Sequence, residues 1–402
     1  MSRDEPPASE PPAIVVAGHI CLDVTPQFLG GGLALLPGGL TQMGPVTFAA
    51  GGGVANVGLT LGKLGVPVKL IAKVGDDLFG SLIADLLQLV TASLTVSPDD
   101  ATSYSVVISP PGFDRHFLHH PGCNDRFSPT EIDPDNAAGA AFFYFGYPSM
   151  MRAVFDDGGA ALAELLGSLR ARGVATAVDM ALPDPDSVSG RVNWRAFLER
   201  VLPHVDVFVP SLAEAAYMLG ADALSKNADP MKNVHSKNVD GAPASPRLYD
   251  LTGQLLAMGA GVAGLKLGEQ GLYLRTADRA RLGASPISFP PAWAERELWS
   301  PAFAATVVDT VGAGDALYAG LLTAVIKGLS LEDAASVATA TGSCSVEASG
   351  VLGGVRSWEE TLARISGGWA RTAHDVPPTW TRHVSGVYLG PHDRIGGARS
   401  KE

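Results

Sequence analysis

The stretch Val308-Asp309-Thr310-Val311-Gly312-Ala313-Gly314-Asp315-Ala316 runs straight into a helical pattern. Two glycines and an alanine let backbone come close to a ligand. A helix starting at about Ala313–Asp315 adds unpaired N–H groups and the positive end of its dipole, which together make an anion hole. The plainer reading is a glycine turn with Asp315 as helix cap. Pure capping, however, leaves a carboxylate inside an anion site, where it repels the anion. The placement makes sense if Asp315 takes a proton from a hydroxyl that attacks a phosphoryl group held beside it. A second glycine turn, Ala50-Gly51-Gly52-Gly53-Val54-Ala55-Asn56, also opens a helix. Asn56 falls in its first turn, where a core-facing helix prefers an apolar side chain, and an amide both donates to and accepts from a polyol. A turn plus amphipathic helix with no ligand stands beside that reading.

Positioning such residues needs strands and helices in alternation. Short apolar runs at 14–18, 68–74, 141–145, 175–179, 205–209 and 262–267 read as strands. Helical periods lie between them, at about 54–64, 77–90, 151–172, 194–202, 211–219 and 247–259, the signature of a parallel sheet covered by helices. Two Ala- and Gly-rich helical runs, roughly 314–327 and 331–347, end the alternation. Segments 24–50 and 103–122 break the rhythm and predict a small separate sheet acting as a lid, or an edge extension of the main one. Residues 221–246 read as a surface insertion, 1–12 as a disordered tail, and 367–402 as an extension whose Trp369, Trp380 and Tyr388 suggest partial packing on the body.

Composition bounds the function. With 46% hydrophobic and only 17% charged residues, the 402-residue chain has ample material for a core and is not disordered over its length. Twenty-nine basic against 41 acidic residues give a net charge of −12, without a basic run, which argues against nucleic acid or an anionic membrane as partner. No stretch reaches the apolar length of a membrane span. Cys21, Cys123 and Cys344 match neither a disulfide framework nor a zinc site, and read as reduced thiols of a cytoplasmic protein.

At residues 51–65 and 309–315 the chain resembles the PfkB/ribokinase family of carbohydrate kinases. The first stretch is similar to that family's N-terminal signature (two glycines, three residues, Asn, then a helix ending LG) and is followed by Val74-Gly75-Asp76-Asp77-Leu78-Phe79-Gly80. The second, DTVGAGD, is similar to its C-terminal signature. The resemblance covers about residues 13–366. It implies a ribokinase-like three-layer α/β fold, with a mostly parallel central sheet, helices on both faces and a β-sheet lid. It also implies ATP and Mg2+ as cofactors. Asp315 would be the general base, and the amides of Gly312, Ala313 and Gly314 would hold the charge on the γ-phosphoryl group.

Asp23, Gly51, Gly52, Asn56 and Asn124 would line the acceptor pocket. Ser211, Glu214, Lys266, Gly268, Gly271 and Thr310 would lie on the nucleotide side, Glu214 acting near Mg2+ through water. Asp309 would belong to a loop that holds a monovalent cation, K+, in some relatives, and the adenine would lie near Ala340–Ser343. The chain departs from the family pattern in two places. Ser211 replaces the Asn of N-x-x-E, and Asp179-Met180-Ala181-Leu182-Pro183 replaces D-x-N-x-R.

His116, His119 and His120 cluster in the lid, where contact with substrate or partner is favoured over metal, since no acidic ligand completes a set. Arg115 reads either as a contact to a charged group or as a solvated strand position. The expectation is an ATP-dependent kinase acting on a hydroxymethyl group of a sugar or sugar-like polyol, forming a homodimer through exposed lid edges. A nucleoside kinase, with Phe48, Phe113 or Phe117 stacking on a base, and a catalytically silent sugar- or nucleotide-binding protein are the alternatives.

Overall fold

The computed structural model describes residues 13–30, 37–110, 115–220 and 246–394. The expected tail 1–12 and all but the last residue of the insertion 221–246 lie outside them. Numbered along the chain, strands β1 (Ile14–Gly18), β4 (Val68–Gly75), β5 (Thr91–Ser97), β8 (Phe142–Gly146), β9 (Ala175–Asp179), β10 (Val207–Phe208) and β11 (Val262–Lys266) run parallel. They are continued by antiparallel β12 (Leu272–Thr276), β13 (Glu297–Ser300), β14 (Thr381–Arg382) and β15 (Tyr388–Leu389). The order across this sheet is β14-β15-β13-β12-β11-β10-β9-β8-β1-β4-β5. A second sheet, ordered β3-β2-β6-β7, consists of β2 (Cys21–Phe28), β3 (Met43–Gly51), β6 (Tyr104–Ile108) and β7 (His116–His120). It forms the expected lid.

Strands buried on both faces are nearly continuous apolar runs, as parallel sheets require. In β1, Ile14 and Val16 enter one core while Val15 and Ala17 enter the other. The first core packs under helices Gly52–Lys63, Ala313–Ile326 and Leu331–Ser345, and the second under Ala160–Ala171, Trp194–Val201 and Pro246–Ala257. Helices therefore cover both faces. The parallel strands all end on one side, and the residues just beyond those ends include His19 to Asp23 after β1, Tyr147 after β8, and Ser211 and Glu214 after β10. Ligands of open α/β sheets bind at this edge.

The long helical run expected over 151–172 is broken into Arg152–Phe155 and Ala160–Ala171. Asp157 restarts the second piece, its carboxylate accepting from the N–H groups of Gly159, Ala160 and Ala161 at 2.8, 3.0 and 2.9 Å. Strand β5, rich in Thr and Ser and largely exposed, gives no apolar run to read and forms by pairing with β4 from Lys69–Thr91 to Gly75–Ser97.

The C-terminal stretch is part of the sheet. Tyr388 and Leu389 pair with Trp299 and Leu298 of β13, and the Tyr388 ring stacks on Trp299 at 5.1 Å. Behind them Arg296, 2% exposed, donates to Asp393 Oδ2 at 2.8 Å and to Glu332 and Ala292 O. Removing one carboxylate leaves a buried cation short of a partner. Asp393→Ala is therefore expected to destabilise the fold by about 3 kcal/mol in denaturant titrations. A change under about 0.5 kcal/mol, the scatter of ordinary surface substitutions, would show that the extension is not structurally required.

Candidate active site

Asp315 lies in the first turn of helix Ala313–Ile326, beneath the lid and only 4% exposed. Its Oδ2 accepts from Asn56 Nδ2 at 2.9 Å and its Oδ1 from the Tyr147 hydroxyl at 2.7 Å. Burial outweighs nearby Lys266 and these two donors and leaves its carboxyl pKa raised. Donors on both oxygens favour the charged form and leave a lone pair on each for an incoming proton. The two glycine turns, far apart in sequence, thus meet at one carboxylate.

The helix begins at Gly312, in the left-handed region at φ 69° with no side-chain cap. That conformation suits glycine and turns the first-turn N–H groups toward the cavity. Ala313 N–H donates to Thr310 O at 3.3 Å, whereas the Gly314 and Asp315 amides belong to the first turn, which has no partner within its own helix. A Cβ on Gly314 would come within 3.5 Å of Lys266 Nζ. The lysine therefore lies against the same glycine turn.

Lys266, at the end of β11, donates to both oxygens of Asp179 at 2.8 Å. Asp179, Glu214 and Asp315 all act on it electrostatically. Asp179 is fully buried and its carboxyl pKa is raised, burial outweighing the pull of Lys266. Three carboxylates around one ammonium leave negative charge in surplus, an environment of hard oxygens suited to a divalent cation. Ser211 and Glu214 form a reciprocal cap on helix Leu212–Met218: Ser211 Oγ accepts from Glu214 N at 3.2 Å, and Glu214 Oε2 from Ser211 N at 2.6 Å. Ser and Asn cap helices about equally well, so Ser211 keeps that role.

Ser211, Glu214, Lys266 and the 312–315 turn border a cavity of about 870 Å3, to which Gly268, Gly271, Thr310 and Gly342 also contribute. Tyr147, absent from the sequence reading, sits at φ 61° and ψ 49°, an uncommon backbone region for a non-glycine residue. Its N–H donates to Asp179 O at 3.0 Å, and this fixes the turn that aims its hydroxyl. No sequence signal marks such a φ value.

Two residues lie elsewhere than the resemblance implied. Asn124 is fully buried and both ends of its amide serve the Ile20 backbone, donating to its carbonyl at 2.7 Å and accepting from its N–H at 3.4 Å. It pins the corner that carries His19 and Asp23. Asp309 accepts from Val311 N at 3.0 Å and Gly350 N at 2.9 Å and forms an ion pair with Arg115 of the lid. A guanidinium occupies the carboxylate where a monovalent cation was expected. Arg115 also reaches Thr310 Oγ1 at 2.5 Å, joining the lid to the loop before the anion-binding turn. Among the described residues no cluster of three His, Cys, Asp or Glu side chains is arranged to hold a metal by itself.

Asp23 projects from β2 over Gly51, where a Cβ would sit 2.2 Å from its Oδ2. Burial lifts its pKa from the ordinary 3.8 to about 6, against hydrogen bonds from Cys21 and Ser105 that lower it. The folded state then binds this proton more tightly than the unfolded chain does. Asp23 therefore favours the fold below its ordinary pKa, and that contribution is lost as pH rises through about 6. Asp23→Asn is accordingly expected to melt a few degrees higher than wild type near neutral pH, with the gap closing as the pH is lowered toward the ordinary carboxylate pKa. A lower melting temperature for the variant near neutral pH would contradict the assignment.

Residues 13–357 match the sequence pattern of the pfkB family carbohydrate kinase. Fructokinase-2 of Oryza sativa subsp. japonica is 25% identical over 330 residues, 80% of this chain and 82% of that protein. The 2-dehydro-3-deoxygluconokinase of Bacillus subtilis (strain 168) is 23% identical over 349 residues, 84% of this chain and 92% of that protein. Ribokinase of Arabidopsis thaliana, solved with ribose and ATP, superposes with a TM-score of 0.64 at 18% identity, covering 88% of this chain and 98% of that one, and so shares the fold. A family match over most of the chain, on a fold that brings both glycine turns to one buried aspartate, places the chain in the pfkB family of carbohydrate kinases.

Proposed function

We propose that the protein transfers the γ-phosphoryl group of ATP to a hydroxymethyl group of a sugar or sugar-like polyol, with Asp315 as general base. The observation that carries this is the position of Asp315 itself. A carboxylate oriented by Asn56 and Tyr147 stands in the first turn of a helix whose amides favour an anion. Asp315 accepts the acceptor hydroxyl's proton as that oxygen attacks the γ-phosphorus, and the bond to the ADP oxygen breaks. Amides of the 312–315 turn hold the charge on the transferring group, and Lys266 adds a cation beside them. Glu214, which borders the cavity, is the residue suited to hold Mg2+ through water, where the ion would neutralise charge on the phosphates. The adenine fits the cavity wall near Gly342 and Ser343. The lid covers the acceptor and excludes water as a competing nucleophile.

The lid also offers a polar row suited to hydroxyls. Asp23, Ser105 and His119 are paired in one row across β2, β6 and β7. Phe48 pairs with Val24 and so lies on the opposite face, Phe117, 47% exposed, shares the His119 face two residues before it, and Phe113 lies outside the described residues. The opposite face presents Val46, Phe48 and Leu118 at 46, 40 and 52% exposure, which supports pairing of two copies through their lids. Three free, buried cysteines, with no helix among the described residues long and apolar enough to cross a membrane, support a cytoplasmic location.

The test is ADP release with a panel of sugars, sugar acids, cyclitols and nucleosides. Asp315→Asn is expected to lower kcat by about 10²–10⁴-fold on the preferred acceptor; acceptor-dependent ADP release unaffected by the substitution would remove Asp315 from the chemistry. Sedimentation should return a dimer that Phe48→Asp together with Leu118→Asp converts to monomer. A wild-type monomer would end the lid-pairing proposal.

A further inference from the structure

Under the lid, four polar atoms have no role in the chemistry above. His19 is 1% exposed and neither of its ring nitrogens has a hydrogen-bond partner among the described residues; the same holds for His119 Nε2 and Asn56 Oδ1. They are close together. The His19 ring lies 5.3 Å from His119 and 6.2 Å from Tyr147, whose hydroxyl reaches Asp315. A Cβ on Gly52 would fall 2.6 Å from His19 Nδ1, so the glycine turn makes room for the ring. Each unpaired buried polar atom is costly, and natural proteins keep few of them. Four beside one base suit a ligand rich in hydroxyls.

The lid sets what these atoms offer. Asp23, Ser105 and His119 lie side by side across three strands. Ser105 Oγ is 3.0 Å from His119 Nδ1. Whichever of the two atoms donates, His119 Nε2 takes the complementary role and has no partner among the described residues. Burial keeps both rings neutral, with pKa values of about 3 for His19 and about 4 for His119. A neutral imidazole can give one hydrogen bond and take one, the complement of a hydroxyl.

We propose that His119 Nε2 and His19, together with Asn56 Oδ1, recognise two adjacent hydroxyls of an uncharged polyol, a sugar or cyclitol, beside the hydroxymethyl that is phosphorylated. This rests on the kinase reading of the same site. A sugar acid would require a cation facing it, and Arg115 is engaged by Asp309 and Thr310 at the lid's other end. The row from Asp23 to His119 offers hydrogen bonds in series, the pattern that adjacent hydroxyls complement.

The experiment measures binding by calorimetry, alongside initial rates, for a set comprising fructose, ribose, myo-inositol, gluconate and adenosine. Wild type, His119→Leu, His119→Gln and His19→Asn are compared after thermal melts establish that each is folded. An uncharged polyol is expected to bind tightest. His119→Leu should raise its Kd and KM by roughly tenfold or more, with the KM for ATP unchanged, while His119→Gln, whose amide reaches a similar point, stays within about threefold of wild type. A deoxy analogue lacking one of the recognised hydroxyls should bind wild type more weakly but lose nothing further in His119→Leu. The proposal is overturned if folded His119→Leu binds the polyol as wild type does, if gluconate or adenosine is the tight ligand, or if no polyol binds. Polyol binding that depends on His119 without Asp315-dependent ADP release would instead overturn the kinase reading and leave the recognition standing.

Discussion

The hydrogen bond from Asn56 to Asp315 joins residues 259 positions apart, and the structure depends on that meeting. Asn56 is carried by helix Gly52–Lys63 and Asp315 by helix Ala313–Ile326, and both helices pack on the same face of the sheet. Every parallel strand between them must be in register for the two side chains to meet. An aspartate buried at a helix N-terminus is stable only with such donors, because burial alone disfavours its charge. Fold and site are in this sense one constraint: the core aligns the helices, and the aligned helices keep the carboxylate oriented.

The electrostatics follow the same logic on the nucleotide side. Lys266 is surrounded by Asp179, Glu214 and Asp315, each of which raises its affinity for a proton, and the lysine in turn lowers the carboxyl pKa values. Lys266 and Asp179 form the one close ion pair of the group, and Glu214 and Asp315 add negative charge around it without a cation of their own.

The sequence revealed the parts whose chemistry is local. Glycine turns before helices, Asp315 after the second of them and Asn56 after the first are visible because a short segment contains the whole argument. The strand β1 was legible over its full length because it is an unbroken apolar run, and β9 because only Thr176 and the terminal Asp179 interrupt one. Tyr147, His19 and Ser105 were not, since their roles arise from where neighbouring strands end and from a positive φ that no residue pattern announces. Ser211 looked like a loss of the family's amide and proves to be an intact helix cap, which shows that residue identity and role separate where the backbone supplies the geometry. Strands β13 to β15 were illegible for another reason: two of them are only two residues long and exist by pairing, not by propensity.

Arg115 and Asp309 connect the lid to the loop before the anion-binding turn, and their side chains are 17% and 23% exposed. A clasp of two opposite charges at this depth still feels the surrounding electrolyte, whose screening length is about 8 Å at physiological ionic strength. The small sheet is therefore tied to that loop by a contact that dissolved ions weaken, while the core beneath it is held by apolar packing that they barely affect.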